Sequence, residues 1–272
     1  MNSSLLKIIA GITIIFVSAA VYPSSAHSSC LIYDALTLPS KPILLNAQFK
    51  NMLTPKGGSL VNFYVNDKLI GKTLTGLDGY AYLEYAHNTA SIISTTVKGN
   101  NDTCSANLLI IKPTDSVIVL DIENTLMRNS YKTFAMKLLN EKPINDKSND
   151  NSKEILKNLA LKYPIIYVVT LFGIDTVRHW LKKNQYPSSV VLSYDNGNVF
   201  EELKDKTIQI AAIIGSPEFI QDSEEYSKLR LTFDDYDDDD LIVDDWEDIE
   251  KKLTNKHETN KPNTGTNDKH KR

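Results

Sequence analysis

Residues 116–130 read SVIVLDIENTLMRNS, and this stretch decides how the second half of the chain is interpreted. The apolar run 117–120 ends abruptly in the carboxylate of Asp121. A short apolar run of this kind predicts a buried strand. Open α/β sheets bind their ligands outside the carboxyl ends of such strands, so Asp121 is a candidate functional residue.

Residues 121–125, DIENT, resemble the first motif of the haloacid dehalogenase (HAD) superfamily, which reads D-x-D-G-T. In that family the first Asp attacks phosphorus and the second is the general acid and base. The resemblance therefore implies that Asp121 is a nucleophile and that Glu123 is the acid and base. Glu123 replaces the second Asp and Asn124 replaces the Gly, so the match is incomplete.

A second apolar run, 165–169, predicts another buried strand that ends at Thr170. The second HAD motif is a Ser or Thr at such a strand end, and Thr170 fits it. The string TVRHWLKKNQYPSSVVL, residues 176–192, resembles one branch of the superfamily, the Mg²⁺-dependent phosphatidate phosphatases of the lipin and actin-patch-associated type. That branch has Arg-Pro after the second motif, where this chain has Leu171 and Phe172.

The same resemblance implies a lysine that neutralises the phosphoryl charge and a set of magnesium ligands. Lys204 and Lys206 both lie in the expected interval, and Lys206 is preferred. A later acidic residue of the family is matched by Asp222. The implied cofactor is Mg²⁺, and its implied ligands are Asp121, Glu123 and Asp222.

Residues 43–110 have a different pattern, in which apolar side chains occupy alternate positions. Runs such as 61–65 and 81–85 have the period of half-buried strands, and turn residues separate them. Several short strands without an intervening helix predict an all-β sandwich. The string FYVNDKLIGKTLTGLDGYAYLEY, residues 63–85, resembles bacterial immunoglobulin-like modules. Modules of that family usually serve as spacers or adhesive units.

The N-terminal residues have the pattern of a secretory signal. Lys7 precedes the apolar run 8–21, and small residues follow, so cleavage is predicted after Ala26. An uncleaved anchor is the alternative, although the run is shorter than the ~20 residues of a membrane span. The prediction is an exported protein, either periplasmic, held in the cell envelope or secreted. Cys30 and Cys104 are then expected to form a disulfide, with two free buried thiols as the alternative.

The sequence predicts a signal peptide and two domains. The predicted fold class is an N-terminal all-β immunoglobulin-like sandwich, residues 30–112, followed by a C-terminal α/β HAD-like domain with a parallel sheet, residues 115–254. Residues 255–272 are polar, lack an apolar face and are predicted to be disordered.

The predicted function is an exported Mg²⁺-dependent phosphohydrolase that acts through an aspartyl-phosphate. Its substrate would be phosphatidate or another phosphomonoester, and a phospholipid substrate implies peripheral association with a membrane. Ser216 stands where the family has an acidic metal ligand, so a catalytically degenerate domain that binds phosphate or lipid is one alternative. The other alternative is an envelope adhesion or interaction protein that works through the immunoglobulin-like module. A net charge of −4 argues against a general nucleic-acid binder.

Overall fold

The computed structural model describes residues 28–51, 54–99, 102–127, 151–195 and 198–259. The strands are β1 (Ser28–Ile32), β2 (Ala35–Thr37), β3 (Ile43–Asn51), β4 (Thr54–Pro55), β5 (Leu60–Val65), β6 (Lys68–Leu74), β7 (Tyr80–Tyr85), β8 (Ser91–Gly99), β9 (Asp102–Ile110), β10 (Ser116–Asp121), β11 (Ile165–Val169), β12 (Val190–Ser193), β13 (Gln209–Ile214) and β14 (Arg230–Leu231). The α-helices are α1 (Ile122–Thr125), α2 (Ser152–Ala160), α3 (Ile174–Lys183), α4 (Asn198–Asp205), α5 (Pro217–Asp222) and α6 (Trp246–Thr259).

The first nine strands build two sheets that face each other. The first sheet pairs β3 with β1, β4 and β7, and the second has the order β2-β9-β8-β5-β6. Alternate side chains of these strands point inward, as the pleat requires, and form a core that includes Leu45, Phe49 and Phe63. Cys30 of β1 and Cys104 of β9 are joined by a disulfide, which ties the first sheet to the second.

Gly79 sets the register between β7 and β3. Its φ of 79° lies in the left-handed region, and a Cβ at this position would lie 2.5 Å from the carbonyl oxygen of Phe49. The Phe49 amide donates a hydrogen bond of 2.9 Å to the Gly79 carbonyl. Only glycine allows both this backbone conformation and this close approach. The turn before β7 therefore fixes which residues of β7 point outward.

The third sheet is parallel, with the order β12-β11-β10-β13-β14. Its central strands are apolar on both faces because both faces are covered. One face packs against helices α2, α3 and α6, where Trp180 and Trp246 are buried. The other packs against α4 and α5, which contribute Phe200 and Phe219. The carboxyl ends of β10, β11 and β13 meet at one edge, where Asp121 lies.

Asp34, between β1 and β2, joins the sandwich to the parallel sheet. Its Oδ1 accepts hydrogen bonds from the Asn107 amide at 2.7 Å and from Arg178 Nη1 at 3.0 Å. Its Oδ2 accepts a bond of 2.6 Å from the Val191 amide of β12. The side chain of Asp34 is fully buried, and Arg178 also donates to the carbonyl of Ile32 at 2.9 Å. Burial raises the pKa of Asp34, and the charge of Arg178 opposes that rise.

The predicted fold class is wrong. The chain is mostly β, with sandwich-like sheets, and the parallel sheet does not form a HAD-like α/β domain. The reason lies in the packing, because Leu36, Leu109 and Ile111 of the sandwich belong to the hydrophobic cluster on one face of the parallel sheet. The third sheet is thus built onto the sandwich and shares its apolar surface.

The predicted signal segment, residues 1–26, lies outside the described residues, as do residues 128–150 and 260–272. Helix α6 continues to Thr259, beyond the predicted start of the tail at residue 255. Within the described part of the chain, no helix combines the length and the apolar character that crossing a membrane requires.

Candidate functional site

Asp121 lies at the carboxyl end of β10, and backbone and amide groups surround its carboxylate. Oδ1 accepts hydrogen bonds from the amides of Glu123 and Asn124 at 3.2 and 3.3 Å. Oδ2 accepts bonds from Asn124 Nδ2 at 2.8 Å and from the Ser216 amide at 3.3 Å. A carboxylate has about four lone-pair sites, so these donors occupy all of them. Asp121 is therefore saturated as an acceptor by its own chain.

Glu123, the next carboxylate along the chain, holds the loop that follows β11. Its Oε1 accepts bonds of 2.8 Å from the amides of Leu171 and Phe172, and its Oε2 accepts one of 3.0 Å from the amide of Thr170. The side chain is 2% exposed. The extra methylene of Glu relative to Asp lets the carboxylate reach the neighbouring strand end. These hydrogen bonds give Glu123 a structural role, because they anchor the loop after β11.

Four of the residues predicted for the site line one pocket of about 270 Å³ at this edge of the sheet. They are Asp121, Glu123, Thr170 and Asp222. The first two are buried and the last two are exposed. Asp222, near the end of α5, accepts a hydrogen bond of 2.7 Å from the Tyr194 hydroxyl.

The predicted lysines lie elsewhere, on α4 and just beyond it. Lys206 Nζ is 3.2 Å from the carboxylate of Glu202, one helical turn earlier. Lys204 Nζ is 3.6 Å from Glu225 and lies over the ring of Tyr226. Neither lysine lines the pocket of Asp121. The five side chains that the HAD resemblance requires therefore do not converge, although four of them do.

Ser216, the residue that stands in place of an acidic ligand, caps a helix. Its hydroxyl accepts a hydrogen bond of 3.3 Å from the Phe219 amide at the start of α5. Gly215 precedes it, and a Cβ there would lie 2.9 Å from the Cβ of Asp121. The missing side chain at Gly215 lets the Ser216 amide approach the Asp121 carboxylate. The packing at Gly215 and Ser216 therefore serves a contact between the backbone and the carboxylate of Asp121.

Burial raises the pKa of Asp121, while hydrogen bonds from Asn124 and Ser216 oppose the rise. Across the described ranges, no group of three or more His, Cys, Asp or Glu side chains is placed to hold a metal ion. The donors around Asp121 and Glu123 also do not fit Mg²⁺, because the carboxylate oxygens that it prefers already accept N–H groups. Magnesium binding and the catalytic roles of these residues stay predictions.

A different arrangement lies on the outer face of the first sheet, which we call the tyrosine face and define by Tyr33, Tyr80, Tyr82 and Leu44. The ring centroids of Tyr33 and Tyr80 are 6.5 Å apart, and those of Tyr80 and Tyr82 are 6.0 Å apart, with nearly parallel planes. Tyr82 is 45% exposed and Leu44 is 56% exposed. Burial and a hydrogen bond with Tyr80 raise the pKa of Tyr33 to about 12, so its hydroxyl stays protonated at neutral pH.

The tyrosine face was missed by sequence reasoning, although the signal was present. Tyr80, Tyr82 and Glu84 alternate with Ala81, which is buried in the sandwich core. The alternation predicts the strand, and its outward positions hold the tyrosines. Tyr33 lies more than 40 residues earlier in the chain, and only the pairing of β1 and β7 with β3 brings it to Tyr80.

No family model matches the chain, and no curated protein matches it. Among solved structures, the D00-D0 domain of intimin is 13% identical, with 30% of this chain and 46% of that chain covered and a TM-score of 0.26. The adhesin InvE of Yersinia pseudotuberculosis is 12% identical, with 32% of each chain covered and a TM-score of 0.27. The titin M3 domain is 11% identical, with 30% of this chain and 93% of that chain covered and a TM-score of 0.24. This chain thus spans about half the length of the intimin fragment. None of these likenesses carries an argument about function.

The predicted membership of the HAD superfamily, and of its phosphatidate phosphatase branch, is wrong. No family model matches the chain, so membership of the HAD superfamily has no support from that comparison. The physical reason is the geometry, because Glu123 anchors a loop and Lys206 pairs with Glu202 outside the pocket. The description of the chain as a HAD-type magnesium-dependent phosphatase is therefore also wrong.

Proposed function

We propose that this chain is an exported interaction protein that binds a partner protein through the tyrosine face. The observation that carries the proposal is the row of Tyr33, Tyr80 and Tyr82 on an open sheet, with Tyr82 and Leu44 exposed to solvent. Tyrosine is enriched in protein interfaces because it offers a large rigid contact area and a polar tip.

The surroundings of the face have the anatomy of an interface. Asn46 is the cross-strand partner of Tyr82, Gln48 is that of Tyr80, and Glu84 is that of Leu44. Aromatic and apolar groups thus alternate with polar groups that can form hydrogen bonds. Interfaces typically place apolar anchors at the centre and polar groups around them. A partner protein with a complementary flat surface fits this arrangement.

The face is also preorganised, which lowers the entropy that binding must overcome. The Gly79 turn fixes the register of β7, and the disulfide between Cys30 and Cys104 holds the first sheet on the second. The buried contacts of Asp34 hold the adjoining segment against the parallel sheet. The tyrosines therefore lie on a rigid scaffold.

The disulfide also supports export, because such bonds persist in oxidising compartments. We place the protein in the periplasm, in the cell envelope or outside the cell, after removal of the segment that ends at Ala26. In each of these locations the tyrosine face can meet a partner protein.

The test is a binding titration of the mature chain, residues 27–272, on envelope preparations of the producing organism and on cultured animal cells. We expect saturable binding to one of these surfaces and a loss of affinity of at least about tenfold for Tyr82→Ser, as for an interface anchor. Leu77→Ser is the matched control, because Leu77 is 96% exposed and lies in the turn before β7. It should bind like the wild type.

Pretreatment of the surface identifies the partner class. Protease treatment should abolish binding if the partner is a protein. If periodate treatment abolishes it and protease does not, the partner is a glycan and the proposed partner class is wrong. Equal binding by wild type and Tyr82→Ser, with both proteins folded, would overturn the role of the face.

A further inference from the structure

A second cleft lies between the sandwich and helix α3, and it shares no lining residue with the pocket of Asp121. Its volume is about 550 Å³, within the range of about 300–1,000 Å³ that is usual for small-molecule sites. Its walls come from the outer face of the second sheet, from the second half of α3 and from residues 186–189. We propose that this cleft binds a small anion that carries hydroxyl groups.

The charge of the lining is the first argument. Arg178 and Lys182 lie one turn apart on α3 and both line the cleft, and none of the described lining residues is Asp or Glu. Arg178 is paired with Asp34 and Asp175. Lys182 is exposed and forms no ion pair with any residue that the structure describes. Its charge is therefore available to a bound anion.

Unused hydrogen-bond donors are the second argument. The hydroxyls of Ser94 and Ser188 line the cleft and are not engaged with other described groups. Each hydroxyl can donate a hydrogen bond to a ligand in the cleft and accept one from it.

The remaining wall is apolar and suits the carbon frame of a ligand. Leu181 and Pro187 contribute this surface. Ligand sites typically combine apolar walls with a few polar groups that fix orientation. An acidic sugar or glycerol phosphate offers an anionic group for Lys182, hydroxyls for the serines and a carbon frame for this wall.

The experiment is calorimetric titration of the mature chain, residues 27–272, with glucuronate and with glycerol 3-phosphate, and with glucose as the neutral control. We expect saturable binding of at least one anion and none of glucose. Lys182→Glu should weaken binding at least about tenfold, the effect of removing one charged hydrogen bond and adding a repulsive charge. Lys183→Glu changes the charge equally at the next position, outside the lining residues, and should leave the affinity within about twofold.

Ser94→Ala is a second variant that preserves charge and tests the hydroxyl contact, with an expected loss of about three- to tenfold. Binding of only one anion supports the cleft and tells a carboxylate ligand from a phosphate ligand. Absence of saturable binding for both anions would overturn the proposal. Equal weakening by Lys182→Glu and Lys183→Glu, or equal binding of glucose, would overturn it as well.

Discussion

The pocket of Asp121 brings carboxylates together and the tyrosine face brings aromatic rings together, and the two regions use these groups in opposite ways. In the pocket, Asp121 and Glu123 are each 2% exposed and together accept seven hydrogen bonds from the chain itself. On the face, Tyr82 and Leu44 are about half exposed. In the pocket, the polar groups form hydrogen bonds that stabilise the fold. On the face, the aromatic groups are accessible to a partner.

The difference teaches that a conspicuous motif can be structural while an inconspicuous surface stays available for binding. A carboxylate whose lone pairs are filled by backbone amides gains stability and loses freedom to act on a ligand. An aromatic side chain on the exposed face of a sheet contributes little to the free energy of unfolding and is available for binding. Variants of the buried groups should therefore change stability most, and variants of the face should change binding.

The largest effect is expected at the junction, with Asp34→Ala. This change leaves Arg178 and the amides of Asn107 and Val191 without their buried acceptor. Breaking a buried ion pair typically costs about 3–5 kcal/mol of unfolding free energy. Urea unfolding of the purified chain measures it. Asp175→Ala removes the exposed partner of the same arginine and should cost under about 1 kcal/mol. An equal loss of unfolding free energy in the two variants would contradict the role of Asp34 as the buried acceptor at the junction.

A somewhat smaller effect is expected for Glu123→Ala. The amides of Thr170, Leu171 and Phe172 lose their acceptor, and an unpaired buried donor costs about 1–3 kcal/mol. Because water can reach this loop, we expect a total of about 3 kcal/mol, measured by urea unfolding. Glu218→Ala is the control, since Glu218 is exposed and lines the same pocket. A stable Glu123→Ala variant would show that the carboxylate is not an anchor.

Asp121→Asn is expected to have a smaller, pH-dependent effect. The folded pKa of Asp121 lies above its unfolded value because of burial, so its contribution to stability is complete below the unfolded pKa and is lost as pH rises through the folded pKa. The unfolding free energy of the wild type relative to Asp121→Asn should therefore fall as pH rises above about 4, the usual pKa of an unfolded Asp. Thermal unfolding across this range measures the trend. A difference that grows with pH would mean that the hydrogen bonds outweigh burial.

Much of the strand pattern could be predicted from the sequence, because alternation and apolar runs are local. The runs 61–65, 81–85 and 165–169 correspond to β5, β7 and β11. The contact between Asp34 and Arg178 could not, since 144 residues separate them and no local rule joins them. The hydrophobic cluster that Leu36 shares with the parallel sheet could not be predicted either, for the same reason.

The candidate site was less predictable than the strands. Four pocket residues follow strand ends or lie near them, and parallel pairing brings such ends together. What the side chains do there depends on neighbours that the motif does not contain. The Glu123 carboxylate accepts from the amides after β11. Lys206 pairs with Glu202, four residues earlier, at lower entropic cost than reaching across the sheet.

The smallest change in stability is expected for Tyr82→Ser, within about 0.5 kcal/mol of wild type by urea unfolding, because half-exposed surface positions tolerate substitution. Its effect should appear in binding instead. A shift larger than about 2 kcal/mol would mean that the tyrosine row supports the fold.

The most direct measurement compares the binding of Tyr82→Ser and Asp222→Asn to the same envelope or cell surface, with wild type alongside. Asp222 lines the pocket and is exposed, so its replacement alters the predicted metal ligand at little cost to the fold. We predict that Tyr82→Ser loses at least about tenfold in affinity and that Asp222→Asn binds like the wild type. Loss of binding by Asp222→Asn with full binding by Tyr82→Ser would contradict the account.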